Sequence, residues 1–216
     1  MTTSSTINPL PVDPSSEIDA QVALVRIADE RSWQALRYFS LYRIVIAGLF
    51  SVLALLSKLP PSFIDFNFHR FTLAACIYFV LAIAALIAVE RRGAPIHLQV
   101  YAQVVTDIIA ITVFIRASGG IESGFGMLMV VAIAGGCLFV RPKAAVFLAA
   151  LGTLAALGET VFGILNMDYP AANYTQAGLL GAGLFATAFL ASILADQARR
   201  SEALAESRAI DIENLS

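Results

Sequence analysis

The spacing of apolar positions along the chain predicts helices that cross a lipid bilayer. Runs close to the ~20 residues that span a ~30 Å hydrocarbon core fall at 38–57, 71–89, 98–115, 124–140, 144–165 and 174–195. Helix breakers stand between them: Pro60-Pro61, Gly93-Ala94-Pro95, Ser118-Gly119-Gly120 and Arg141-Pro142-Lys143. The pattern predicts an all-α integral membrane fold of six transmembrane helices, with connections too short for folded domains outside the membrane. Residues 38–195 form the membrane domain on this reading and 21–37 a juxtamembrane interfacial segment. Residues 1–20 are expected to be a disordered tail. The start has no basic stretch leading into an apolar one, so it is not a cleavable signal peptide.

Charge gives the fold an orientation. With the N-terminus inside, the inner face collects Arg26, Arg31, Arg37, Arg43, Arg91, Arg92, Arg141, Lys143, Arg199, Arg200 and Arg208, and the outer face only Lys58, Arg70 and Arg116. Cytoplasmic loops hold the excess of Lys and Arg, so both termini are expected in the cytoplasm. Trp33, Tyr38 and Tyr42 on the inner side, and Tyr169 and Tyr174 on the outer, are placed as interface anchors. After 195 the pattern changes to charged residues with good helix propensity and no breaker, so the last span is expected to run on through 196–216 as a cytoplasmic helix. Leu194, Ala198, Ser201, Ala205, Arg208, Ile212 and Leu215 follow the alternating spacing of a two-stranded seam, which predicts a homodimer. A solvated helix that pairs with nothing is the alternative, since Ser and Arg are poor core residues.

Composition narrows the class. In 216 residues, 58% are hydrophobic and 14% charged, with mean hydropathy +0.78. One soluble core does not absorb that much apolar surface, so lipid is the main partner of the chain. A net charge of -2 without a clustered basic face argues against nucleic-acid binding. Cys76 and Cys137 fall near opposite faces of the membrane, roughly 18 Å apart in depth at ~1.5 Å rise per residue, too far for a disulfide.

A few polar residues lie where lipid would penalise them. Asp107 sits near the middle of the third run, where an ionised carboxylate costs roughly 2.5–3.5 kcal/mol on insertion scales. Gln99, Gln103 and Thr106 share its helical face and predict a polar stripe pointing into the bundle. That stripe is either hydrogen-bonding glue between helices or a part of the protein that changes with signalling state. Glu159, on a face with Gly152, Ala156 and Gly163, is expected to pair with Arg116, unless Arg116 snorkels to the outer headgroups. Arg43 is expected to snorkel toward the inner headgroups, with Asp107 within reach as the alternative. Ser118-Gly119-Gly120 is expected to end the third helix through left-handed residues, and Ser123 to cap the fourth. Glu122 and Ser123, on a rigid outer turn, are candidates for contact with a protein ligand. Gly178, Gly181 and Gly183 with Ala182 and Ala186 suggest a small-residue face on the sixth helix, suited to packing within or between protomers.

Three stretches carry a resemblance. They are Leu36-Arg37-Tyr38-Phe39-Ser40-Leu41-Tyr42-Arg43; Thr106-Asp107-Ile108 followed by Ala117-Ser118-Gly119-Gly120-Ile121-Glu122-Ser123-Gly124-Phe125-Gly126; and Ser201-Glu202-Ala203-Leu204-Ala205-Glu206-Ser207-Arg208. Together they resemble the N-terminal membrane region of the PilS family of sensor histidine kinases, which control type IV pilin expression. The resemblance covers roughly 33–216. It implies a sensor that continues into PAS and kinase regions, uses ATP and Mg²⁺ there, passes phosphate to a response regulator, and senses the transmembrane helix of pilin in the bacterial inner membrane.

The chain itself is expected to hold no catalytic residue, cofactor or metal. His69 precedes Arg70 and His97 precedes Leu98, so neither stands in the Ser-His-Glu type box of that family, and no Gly-rich ATP lid occurs. Both histidines lie at or beyond span ends, which counts against an intramembrane serine hydrolase. A small six-helix transporter or binding protein remains as the other reading. It has a central Asp107 but no visible repeat of its halves.

Overall fold

The computed structural model describes residues 14–56, 68–166 and 170–213. They form six helices: α1 (Pro14–Leu55), α2 (Phe68–Arg91), α3 (Ile96–Ala117), α4 (Gly126–Cys137), α5 (Pro142–Asn166) and α6 (Asn173–Glu213), with a 3₁₀ turn at Ile121–Ser123 before α4. There is no strand among the described residues.

The ends of the bundle differ from expectation in two places. α1 begins at Pro14, inside the stretch expected to be a disordered tail, and runs unbroken into the membrane span. Pro at a first helical position costs no hydrogen bond. α4 has only 12 residues, about 18 Å at 1.5 Å per residue, short of a ~30 Å core. Five helices are long and apolar enough to cross alone. Around α4 the chain stays wound in tighter turns, through Ile121–Ser123 on one side and through the bonds from Leu138 N to Gly135 O and Phe139 N to Gly136 O on the other. These turns lengthen the apolar passage beyond the helix proper.

α3 is the central helix: half of its span window is buried, against 22% for α2. Its buried positions, Gln99, Val100, Gln103, Val104, Asp107, Ile108, Ile111, Phe114 and Ile115, recur at spacings of three and four, as one wide face must. α1 packs closely on α2, where Gly48 lies against the Phe79 ring and Ser51 Oγ donates to Ala75 O at 3.0 Å. α5 packs on α6 through Gly181, where a Cβ would meet Thr153 Cγ2 at 2.5 Å. Within this one chain only part of the expected small-residue face of α6 is used for packing. Gly181 is buried, while Gly178 and Gly183 have nothing near an added Cβ and Ala182 and Ala186 are exposed. Residues two apart lie on nearly opposite sides of a helix, so Gly181 and Gly183 cannot share one face.

On one side of Asp107 the core is aromatic. Phe114 is ringed by Phe71 at 5.4 Å, Tyr78 at 5.8 Å, Phe125 at 5.9 Å and Phe50 at 6.0 Å between centroids. Such pairs add ~0.5–1.5 kcal/mol each beyond their buried area. Cys76 and Cys137 both carry free thiols.

Candidate functional site: a charged clasp inside the bundle

Asp107 and Arg43 form an ion pair at 2.6 Å with side chains 2% and 3% exposed. Arg43 does not snorkel: one arm of the guanidinium donates to Gln103 Oε1 at 3.0 Å, and the other reaches the Gln103 backbone carbonyl at 3.2 Å as well as Asp107 Oδ1. The physical reason is that α1 carries Arg43 on its buried face, level with the α3 stripe, so the acceptors there are nearer than any headgroup. Tyr78 of α2 donates its hydroxyl to the same Asp107 Oδ1 at 2.6 Å. Ser40 Oγ lies 3.0 Å from Leu36 O and 3.3 Å from Gln103 Oε1, with one proton to serve both. Three helices thus meet at one carboxylate oxygen. Within hydrocarbon such a pair is tolerated only when geometry and additional hydrogen bonds offset the desolvation of both charges.

The structure brings Arg43, Gln103 and Asp107 together and adds two residues that the sequence reading passed over, Tyr78 and Ser40. Tyr78 had a signal: a tyrosine in mid-span, away from either interface, needs a partner for its hydroxyl. Thr106 stands aside, half-buried, its hydroxyl donating to Ala102 O of its own helix at 2.7 Å. Gln99 is buried one turn from the start of α3 and donates to Ala88 O and Ala94 O, both at 3.2 Å.

Glu159 and Arg116 are near each other but loosely, with 3.9 Å between Arg116 Nη1 and Glu159 Oε2 and Arg116 42% exposed. The guanidinium lies over the Phe162 ring, 4.0 Å from its centre. Glu159 is buried with Gly152, Ala156 and Gly163 on the inner face of α5.

At the turn after α3, Ser118 is the C-cap and Gly119 and Gly120 take φ of 86° and 108°. Gly120 N–H bonds to Ile115 O at 2.8 Å, closing the helix with a six-to-one bond. Ser123 does not cap α4, because it sits in the 3₁₀ turn and its hydroxyl donates to Gly120 O at 2.7 Å. Glu122 is exposed on this turn, Ser123 half-buried and Ser118 buried.

At the far end of α1 and α2, Arg92 pairs with Glu30 at 3.0 Å and lies over the Trp33 ring, and Arg37 pairs with Glu90 at 3.4 Å. Of the seam residues, Leu194 and Ala198 are exposed. The backbone of Ala205 and Ile212 is helical, their side chains are not described, and Leu215 lies outside the described residues.

A polytopic helical bundle closed around a charged clasp on its central helix is the class that fold and site define, and known sequences refine it. The family described as the PilS-like transmembrane domain matches residues 26–205, and the chain belongs to that family. Sensor protein kinase PilS of Pseudomonas aeruginosa is 31% identical over 194 residues, which cover 88% of this chain and 36% of the relative. The chain therefore spans little more than a third of that relative's length. No solved structure matches. Family membership and the apolar helices make this a multi-pass protein of the bacterial inner membrane.

Proposed function

We propose that the chain is the membrane input domain of a sensor histidine kinase that regulates type IV pilin transcription, with pilin itself as the signal in the plane of the membrane. The observation that carries this reading is α6. It runs unbroken for 41 residues from the bundle to Glu213, about 60 Å at 1.5 Å per residue, twice the thickness of the hydrocarbon core. A transporter has no use for such an extension, whereas a sensor uses it to carry a rotation or shift of the last span out of the membrane. With six crossings the two ends lie on one face, and the excess of Lys and Arg puts that face in the cytoplasm.

A second copy pairs through Leu194, Ala198, Ala205, Ile212 and Leu215, and the paired helices lead toward kinase and response-regulator partners. ATP and Mg²⁺ would bind in the kinase region of such a protein. His69 and His97 do not stand in the Ser-His-Glu type box of a phosphoacceptor, so that role would belong to the kinase region as well. Pilin would be read by its hydrophobic helix through small residues and a few polar groups, and the exposed Glu122 on its outer turn is a further contact.

The test is a chimera in which residues 26–205 replace the matching part of Pseudomonas aeruginosa PilS, read by a pilin-promoter reporter at low and high pilin. The expected result is a reporter that follows pilin level. One residue inserted after Asp196 turns the seam by ~100° and should lock the output high or low, while seven leave ~20° of drift and should restore the response. Equal output for insertions of one, two, four and seven residues would make α6 a tether and remove the mechanism.

A further inference from the structure

Among the described residues, Asp107 Oδ2 and Arg43 Nε in the clasp, and Gln99 Oε1 about two turns from it along α3, are buried with no hydrogen-bonding partner within the protein. Two voids adjoin them. A cavity of ≈ 20 Å³ is bounded by Arg43, Tyr78, Asp107 and the aromatic side chains above them. A groove of ≈ 150 Å³ lies between α2 and α3, walled by Ala85, Ala88 and Ala102 with Gln99, Gln103 and Thr106. Arg43 lines both. The helices run antiparallel there, so the groove begins one turn from the Arg91 end of the α2–α3 connection, at Ala88 and Gln99, and reaches inward about two further turns to Leu81 and Thr106.

We propose that this groove is a water-filled cleft that enters the bundle from the α2–α3 turn and wets the clasp at Arg43 and Asp107. Lipid tails would leave Gln99 Oε1 unbonded, and each unbonded group costs several kcal/mol in hydrocarbon, whereas water supplies a donor to it. The inner cavity is above the ~10–15 Å³ that one water needs, and Asp107 and Arg43, whose Oδ2 and Nε lack a partner, both line it. The small side chains of Ala85, Ala88 and Ala102 leave the room, and the aromatic cluster around Phe114 closes the far side. Water beside the clasp also changes what the clasp can do, because a mobile donor and acceptor can replace either partner when α1 shifts against α3.

The cleft is tested by the reactivity of introduced thiols toward a membrane-impermeant charged maleimide, in membranes opened on both sides, with Cys76 and Cys137 replaced by Ala. A thiol reacts as the thiolate, which forms in water and not in lipid. Ala85→Cys should react at least about tenfold faster than Ile83→Cys and Ile87→Cys, whose parent side chains are exposed outside the groove. Ile87 lies nearer the helix end than Ala85 and Ile83 farther from it, so depth alone cannot produce that order. Ala102→Cys, on the opposite wall, gives the same reading if Ala85→Cys lowers protein level. Rates at Ala85 and Ala102 equal to or below those at Ile83 and Ile87 would show that lipid fills the groove and would overturn the proposal. Pilin and kinase output do not enter the measurement, so it stands or falls separately from the sensor reading.

Discussion

α3 is held on one side by charge and on another by the absence of a side chain. Toward α1 the two backbones are not among the closely packed pairs of the bundle, and Arg43 spans the gap to Asp107 at 2.6 Å. Toward α4 the backbones come close because Gly136 has no Cβ, and one built there would sit 2.5 Å from Val104 Cγ2. Neighbouring Gly135 gives way to Phe39 of α1 in the same manner. The first seam is wide, polar and lined by unbonded atoms, and the second is narrow and apolar. A seam built on long charged side chains has more than one arrangement of similar energy, while one built on a glycine contact has a single fit. If a signal moves any helix within this bundle, the α1–α3 seam is the place where it can.

The sharpest way to break this comparison is to remove the charge. Asp107→Ala leaves Arg43 buried without a counter-charge, and breaking such a pair costs ~3–5 kcal/mol. Tyr78→Phe removes only a hydrogen bond to Asp107, and interhelical bonds in membranes average ~0.6 kcal/mol, so the tyrosine variant should be far milder. Arg43→Met combined with Asp107→Leu should regain most of the lost stability, because a buried pair is often replaced by apolar residues without penalty. Unfolding of the purified domain in a detergent titration measures all three. An Asp107→Ala loss no larger than that of Tyr78→Phe would mean that the pair is already solvated and holds nothing together.

Much of this was legible beforehand, and the failures share a cause. The helices followed from runs of apolar residues, and Asp107 stood out because a lone carboxylate at mid-span has few physical excuses. The identity of its partner was not legible. Arg43 near the start of the apolar run satisfies the snorkelling rule equally well, and only the packing of α1 on α2 turns its face inward. The shortness of α4 was hidden because 124–140 is apolar throughout, and hydropathy does not register that Gly135 and Gly136 press against Phe39 and Val104 while the next turn tightens.

The glycine seam gives the intermediate effect. Gly136→Ala forces Val104, fully buried, or its backbone to move, and overpacking of this kind costs typically ~1–3 kcal/mol. Gly158→Ala is the control: nothing lies within 4 Å of an added Cβ there, so the gain in helix propensity should leave stability unchanged or up to ~1 kcal/mol higher. The same detergent titration compares them, and equal behaviour of the two variants would show that the α3–α4 seam is not close-packed.

The smallest effect is expected where α3 meets α5. Arg116 and Glu159 also join two helices by opposite charges, but 3.9 Å apart and with the arginine 42% exposed. A pair with one partner in solvent or headgroups contributes ~0–1 kcal/mol. The arginine has a second partner in the Phe162 ring beneath it, worth ~0.5–1 kcal/mol at an exposed site. Glu159 keeps Oε1 without a hydrogen bond, so Glu159→Gln should be neutral or slightly stabilising. Arg116→Ala should cost no more than about 1 kcal/mol, with part of that loss disappearing in a Phe162→Leu background. A double-mutant cycle on Arg116 and Glu159 should then give a coupling below ~0.5 kcal/mol, against several times that for Arg43 and Asp107. A coupling of ~2 kcal/mol or more would mean that the pair closes when the domain sits in lipid. α3 would then be held by charge at its middle and at its C-terminal end, and its freedom would lie along its axis rather than toward α1.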